Sequence, residues 1–575
     1  MRRLFSAIKH FFLPPPGSSI WIRLLPFVVL GMITIVFAYG SVEAWTYTNS
    51  SQFCGTTCHT MPPEYSAYQR SPHARVQCVE CHIGRDVVTT QFTRKAGDLR
   101  HVVLTITQDY EFPIHSRAMR PARDTCEKCH FPEKFSDDSL REIHQYAEDE
   151  NNTPENTYLI LKTGGGASRE GLGQGIHWHI ENEVYYLATD ELEQNIPYVR
   201  VVDQDGNIRE YYDISSGFTP DDVAGTTLAR MDCLNCHNRI THKIANPGDA
   251  VNETMRKNLI ARDLPYIRQQ AFHVLSADYE SDEAAYAGIA RLEDFYVTTY
   301  PDVYAERADE IQAAVSTLQE IYSQSVFREQ KIDWDTHPNN LGHKDDPGCF
   351  RCHDGKHLTG SEEAIRLECN LCHSIPAQVD NNALVTTIEI PRGPEPPSHT
   401  HTGWITLHGK AIDSSCAACH APGDPAVDYT TLTEKPPVDG SFCGNSACHA
   451  NEWGFAGFSA AELQPVLDRQ AYILLHTSPY LLEGATRTYE GTFRAMLNGR
   501  CTYCHSGLNA EADLDLSSYA AMLQGGKNGP ALAPGDPAAS LIIQKQSGPR
   551  DHFGQVLGDE LEALTAWVAA GAPEK

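Results

Sequence analysis

A mainly α chain is predicted, with one N-terminal transmembrane helix, modules of short helices and loops, a small β insert and a closing α domain. Three observations predict it. All 18 cysteines fall into pairs whose second member is followed directly by His. The 19 residues from Leu24 to Val42 carry no charged side chain. Between about Pro247 and Gln330, apolar residues recur at helical spacing. At 575 residues the chain can form several domains. Its formal net charge of −29 makes nucleic acid a poor partner and favours positively charged partners or simple solubility.

The nine cysteine pairs, numbered as motifs 1 to 9 in chain order, set the class. The first three are Cys54-Gly-Thr-Thr-Cys58-His59, Cys78-Val-Glu-Cys81-His82 and Cys126-Glu-Lys-Cys129-His130. Motifs 4 to 6 are Cys233-Leu-Asn-Cys236-His237, Cys349-Phe-Arg-Cys352-His353 and Cys369-Asn-Leu-Cys372-His373. The last three are Cys416-Ala-Ala-Cys419-His420, Cys443-Gly-Asn-Ser-Ala-Cys448-His449 and Cys501-Thr-Tyr-Cys504-His505. Two thioethers hold the haem vinyl groups, and the adjacent His serves as proximal iron ligand. A Cys-x-x-Cys can also be half a zinc site or a redox pair, but neither needs His after every second Cys. The motifs therefore predict a multihaem cytochrome c with nine covalently bound haem c. The spacing is wider than the usual two residues only in motif 1, at Cys54, and motif 8, at Cys443, where a structural disulfide is the rival reading.

Haem attachment takes place outside the cytoplasm, so the bulk of the chain is expected to be exported. The apolar run approaches the roughly 20 residues that span a bilayer. Arg2, Arg3, Lys9 and Arg23 precede it, which predicts a cytoplasmic N-terminus. A cleaved signal has a shorter apolar region of about 7–15 residues. The expectation is an uncleaved, single-pass anchor in the cytoplasmic (inner) membrane, with the haem domains extracytoplasmic.

The domain reading follows in order: 1–19 cytoplasmic, 20–44 anchor, 45–246 a tetrahaem domain with a β-containing insert at about 150–215. In that insert Val184 to Ala188 and Tyr198 to Val202 alternate with period 2, and Asp205-Gly206 reads as a hairpin turn. Residues 247–335 form a helical segment, with Ile289, Leu292, Phe295, Tyr296, Ile311, Val315, Leu318 and Tyr322 on its core face. Residues 336–460 hold motifs 5 to 8, with Pro-rich joints around Pro391 to Pro397 and at Pro436-Pro437. Residues 461–575 are a linker and a monohaem domain closed by an amphipathic helix, Leu557 to Ala569.

Of 26 His, setting aside nine proximal ones and His10 leaves 16 for nine distal positions. In the middle modules His343, His357 and His408 are candidates, then His476 for a later haem. His177 and His179, and His399 and His401, are paired alternatives. A surplus of His predicts irons closed on both sides, which transfer electrons and do not bind substrate.

Two resemblances are specific. The anchor, Cys54 to Met61, the block from Ser71-Pro-His73 to His82, Cys126 to His130, and Cys233 through His242 resemble the NapC/NirT family of membrane quinol dehydrogenases. Motif 1 has an extra spacer residue and the insert before Cys233 is long, both departures from that family. Pro347 through His357 is similar to the larger inner-membrane members, implicated in passing quinone-pool electrons toward extracellular acceptors. The tail resembles small single-haem cytochrome c domains through Leu514-Asp-Leu516, Pro534-Gly-Asp-Pro537 and Trp567 to Pro573. Such domains supply a distal Met before the last helix; this chain has His552 there instead.

The NapC/NirT resemblance implies His73, His115, His144 and His242 as distal ligands in the first module and Met61 as a ligand of the first iron. It also implies a quinol site on Phe92 to His101, with Lys95 orienting the ring and Asp98 or His101 as proton acceptor. Quinol oxidation releases protons as electrons leave, so a base must contact the ring oxygen. The expected activity is oxidation of a menaquinol-type quinol and conduction of electrons to a periplasmic or extracellular redox protein. Two rivals remain: a terminal reductase of nitrite or hydroxylamine type with one open haem, and a structural subunit docking a separate reductase.

Overall fold

The computed structural model describes residues 9–57, 60–84, 86–97, 99–110, 112–116, 119–131, 138–164, 175–203, 205–374, 377–380, 407, 454–502, 504–506, 510–548 and 556–575. The anchor is a helix from Ile20 to Asn49, 30 residues, with Ile35, Val36 and Phe37 exposed. At 1.5 Å per residue it is about 45 Å long, more than the roughly 30 Å apolar core of a bilayer. It runs past the expected end at residue 44 because Trp45, Tyr47 and Thr48 continue the helix beyond the apolar stretch.

Where the chain leaves the anchor, Ser50 caps the short helix Ser51–Thr56, its hydroxyl accepting from the Phe53 N–H at 3.1 Å. That helix packs on Pro62–Arg70, with Gly55 against the Tyr65 ring, where any Cβ would overlap the aromatic carbons. Gly55→Ala should therefore destabilise the protein by about 1–3 kcal/mol through overpacking. Thermal unfolding followed by haem absorbance checks it; an unchanged transition would show that Tyr65 yields freely.

Among the described residues there are two antiparallel sheets. β1 (Ser139–Tyr146), β2 (Pro154–Leu161) and β8 (Ala377–Asp380) form one, in the order β1-β2-β8. β3 (Glu183–Leu187), β4 (Tyr198–Val202), β5 (Ile208–Asp213), β6 (Ala229–Arg230) and β7 (His357–Leu358) form the other, ordered β6-β3-β4-β5-β7. The β4–β5 hairpin turns where expected: Gly206 has φ 82°, and the Asp203 carboxylate accepts from the Asn207 N–H at 2.8 Å. The β1–β2 hairpin carries no alternating apolar pattern, because its side chains are largely half-buried or exposed. β7 and β8 come from the segment of motifs 5 and 6, so both sheets join parts of the chain far apart in sequence.

The helices Pro247–Arg256, Ile267–Leu275, Asp282–Ala290, Leu292–Thr299 and Pro301–Ser325 enclose one apolar core. Ile289, Leu292, Tyr296, Ile311, Val315, Leu318 and Tyr322 are buried in it, and Phe295 packs at its edge. Asn152, in the β1–β2 turn with φ 47°, ties that hairpin to the core by donating to the carbonyls of Arg262 (3.0 Å) and Leu264 (2.8 Å). The C-terminal unit packs Phe493, Met496, Met522 and Trp567 around the helices Arg494–Arg500 and Gly558–Ala569. Met522 is fully buried in this cluster.

Candidate functional site

Among the described residues, the cysteine pairs of motifs 2 to 6 sit on tight turns. Cys78–His82, Cys233–Cys236 and Cys369–Cys372 are single-turn α-helices; Cys126–Lys128 and Gly348–Arg351 are 3-10 turns. Asp232 caps motif 4, accepting from the Leu234 N–H at 2.8 Å, and its other oxygen accepts from the Ala122 N–H beside motif 3 at 3.1 Å. The described cysteines of successive motifs lie near one another: Cys78 hydrogen-bonds with Cys54, and as free thiols Cys81 and Cys126, Cys126 and Cys233, Cys236 and Cys349, and Cys349 and Cys372 lie close enough for their charges to oppose.

An iron between two imidazoles needs metal–nitrogen bonds of about 2 Å, which with the ring radii places the ring centres roughly 6 Å apart. The structure brings His73 to His130 at 6.0 Å, His242 to His82 at 6.2 Å and His343 to His373 at 6.3 Å. In each pair one partner is a motif histidine. The His373 Nδ1 donates to the Ser374 carbonyl at 2.6 Å, leaving Nε2 for a metal. The His242 Nδ1 stands 2.9 Å from the Glu64 carboxylate, which Arg239 also approaches at 3.7 Å. Burial works against the Glu64 charge, but His242 and Arg239 outweigh it and hold the carboxyl at about 2. The arrangement fits haem at motifs 2, 3 and 6.

Other expected ligands stand elsewhere. His357 is a correction: its ring is buried, with Nδ1 2.9 Å from Asp354 Oδ1 and Nε2 2.7 Å from the Ile196 carbonyl. Both partners accept, so both nitrogens carry hydrogen and neither lone pair is open to iron. His144 meets its own hairpin: its Nδ1 lies 2.9 Å from Asn156 Oδ1 and its Nε2 3.4 Å from the Glu142 carboxylate. The His115 ring packs 4.8 Å from His337, which belongs to no motif. The His476 ring stacks on Tyr472 at 4.3 Å, its Nδ1 donating to the Tyr472 carbonyl at 2.8 Å. His179, left open beside His177, faces His353; no local pattern distinguished the two, since the partner lies in another module. Cys58, His59, Asp98, His408, Cys416, Cys419, His420, Cys443, Cys448, His449 and His552, with the alternatives His399 and His401, lie outside the described residues.

At the membrane end, the helix Val88–Gly97 returns to the anchor. Lys95 donates from Nζ to the Thr48 carbonyl (2.8 Å) and hydroxyl (3.2 Å), and sits 5.0 Å above the Trp45 ring. Trp45 also stacks with Phe92, ring centres 6.5 Å apart. Burial lowers the Lys95 ammonium from its usual value, and Cys54 is near enough to oppose that shift. Arg94 pins the helix to motif 2 through the Ile83 carbonyl at 2.8 Å. Val87, Phe92, Val103 and Ile106 are exposed apolar residues on this segment, which continues as the helix Leu99–Thr107 carrying His101. Met61 immediately precedes the helix Pro62–Arg70, at its N-cap position and with no side-chain capping bond.

Residues 18–120 match the model of the NapC/NirT cytochrome c family, N-terminal region, and residues 501–548 match that of Planctomycete cytochrome C. The chain is 40% identical over 405 residues to cytochrome c-type protein ImcH of Geobacter sulfurreducens, across 69% of this chain and 78% of that protein. It is 31% identical over 107 residues to cytochrome c-type protein NrfH of Wolinella succinogenes, across 18% of this chain and 59% of that protein. No solved structure matches the chain significantly.

Proposed function

Because the chain belongs to the NapC/NirT family of membrane-anchored multihaem c-type cytochromes, among its ImcH-like members, we propose that it oxidises quinol at the membrane surface and conducts the electrons to a periplasmic or extracellular redox protein. One observation carries the reading: Lys95 is held at the end of the anchor, on Thr48 and Trp45, near Cys54 of the first motif. The exposed Val87, Phe92, Val103 and Ile106 next to it suit a surface on the bilayer, where a menaquinol-type ring would arrive with its apolar tail.

The roles follow from the chemistry. The Lys95 ammonium donates to a ring oxygen and fixes the quinol; the Asp98 carboxylate or the His101 imidazole takes the proton that each oxidation step releases. Nine haem c groups, when bound, supply the one-electron centres. The nine motif histidines would hold the irons; Met61 would serve the first, and His73, His242 and His343 would serve three others. The N-terminus lies in the cytoplasm and the motifs on the opposite side of the inner membrane.

Anaerobic mixing of the detergent-solubilised protein with a menaquinol analogue is expected to reduce most of the haem within the mixing experiment, followed by absorbance. A protein that dithionite reduces fully and menaquinol leaves oxidised would overturn the reading and make another protein the electron donor.

A further inference from the structure

We propose that His179, from the β insert of the first module, is the sixth ligand of the iron held by motif 5 in the second. The inference rests on the multihaem reading and goes beyond it by naming a ligand that crosses between modules.

Motif 5 presents His353 just after the turn Gly348–Arg351, and its Nδ1 donates to the Arg366 carbonyl, which leaves Nε2 as the metal-binding nitrogen. Opposite stands His179, on the single-turn helix Trp178–Glu181. The ring centres are 5.7 Å apart with planes at 78°. The His179 Nδ1 donates to the Ile176 carbonyl at 2.9 Å, so its Nε2 is likewise the nitrogen left for a ligand. Two neutral imidazoles with their Nδ1 atoms anchored on carbonyls, at close to the roughly 6 Å that two metal–imidazole bonds require, fit one iron. Simple edge-to-face packing of rings accounts for the distance alone and gives no reason for both rings to be anchored in the same tautomer.

The surroundings hold the two rings in place. Arg351, inside motif 5, donates at 2.8 Å both to the Glu193 carbonyl of the insert and to the Asn235 carbonyl of motif 4. β7, four residues after His353, pairs with β5 of the insert, and His357 donates to Ile196 between β3 and β4. Trp178 packs edge-on against His179 at 5.7 Å. The insert is thus an arm that closes a haem in the neighbouring module, and it removes an open iron that would otherwise be available to a small substrate.

The test uses the full-length, haem-loaded protein. His179→Ala is expected to keep the wild-type haem count by pyridine haemochrome while one haem per chain changes from low-spin to high-spin in the ferric EPR spectrum, restored by added imidazole. His144→Ala should leave the spectrum as in wild type. A full haem count with no new high-spin signal would overturn the assignment and leave the haem reading intact. Should His179→Ala lose haem, His179→Met decides: a methionine–iron charge-transfer band with one raised potential supports the assignment, and wild-type spectra and potentials overturn it. A wild-type Cys349–Cys352 peptide without attached haem, found by mass spectrometry, would overturn the multihaem reading at motif 5 and the assignment with it.

Discussion

Lys95→Ala is expected to slow menaquinol-driven haem reduction by about 10–100-fold, because a hydrogen bond to a charged group contributes about 1.5–3 kcal/mol and each 1.4 kcal/mol is tenfold. The ammonium is placed by contacts that do not depend on a substrate: the Thr48 carbonyl and hydroxyl, and the Trp45 face. Those contacts join the anchor's end to the helix Val88–Gly97, so the group is fixed relative to both the bilayer and motif 1. Stopped-flow mixing separates its role from folding, since dithionite reduction should be unaffected. Lys95→Arg should recover part of the rate, because charge is kept while the planar fork cannot reproduce a compact ammonium. Wild-type rates in Lys95→Ala would remove Lys95 from the quinol site.

His357→Ala should cost about 3 kcal/mol of stability, at the low end for breaking a buried charged pair, because Asp354 keeps Lys356 at 3.5 Å. The cost arises at Asp354 and at the Ile196 carbonyl, both left without the buried ring that satisfied them. Burial disfavours a charge on His357, but the Asp354 carboxylate outweighs it and raises the group above its ordinary value. A raised folded value means that this stabilisation is complete below an unfolded pKa of about 6.5 and fades as pH rises through the folded value. The haem spectrum should not change. A new high-spin haem in His357→Ala, with stability unaltered, would return His357 to the ligands and contradict the anchor role.

The difference between His357 and His73 shows where reading residues in order stops being informative. Both are candidate distal ligands, His73 through the NapC/NirT resemblance and His357 from its place in the middle modules. What separates them is the partner: an aspartate and a carbonyl for His357, a motif histidine at 6.0 Å for His73. The same holds for His144, which hairpin neighbours occupy, and for His179, whose partner His353 lies in another module. The β1–β2 hairpin escaped notice for a related reason, since its stabilisation comes from Asn152 and the helical core and not from an alternating apolar face.

Attachment chemistry and membrane insertion are local properties. Two thiols and a histidine within five or six residues, or a charge-free stretch of 19, are determined by the chain itself, and from them follow a c-type cytochrome and its anchor. The helical core between Pro247 and Ser325 was legible too, because its period of three and four is impressed on the residues that it buries. The pairing of histidines is different. A second ring reaches a motif histidine only where the packed structure delivers it, as His73 does at His130 and His242 at His82. That outcome depends on sheets and contacts between distant segments, so only the tertiary structure decided which histidines meet.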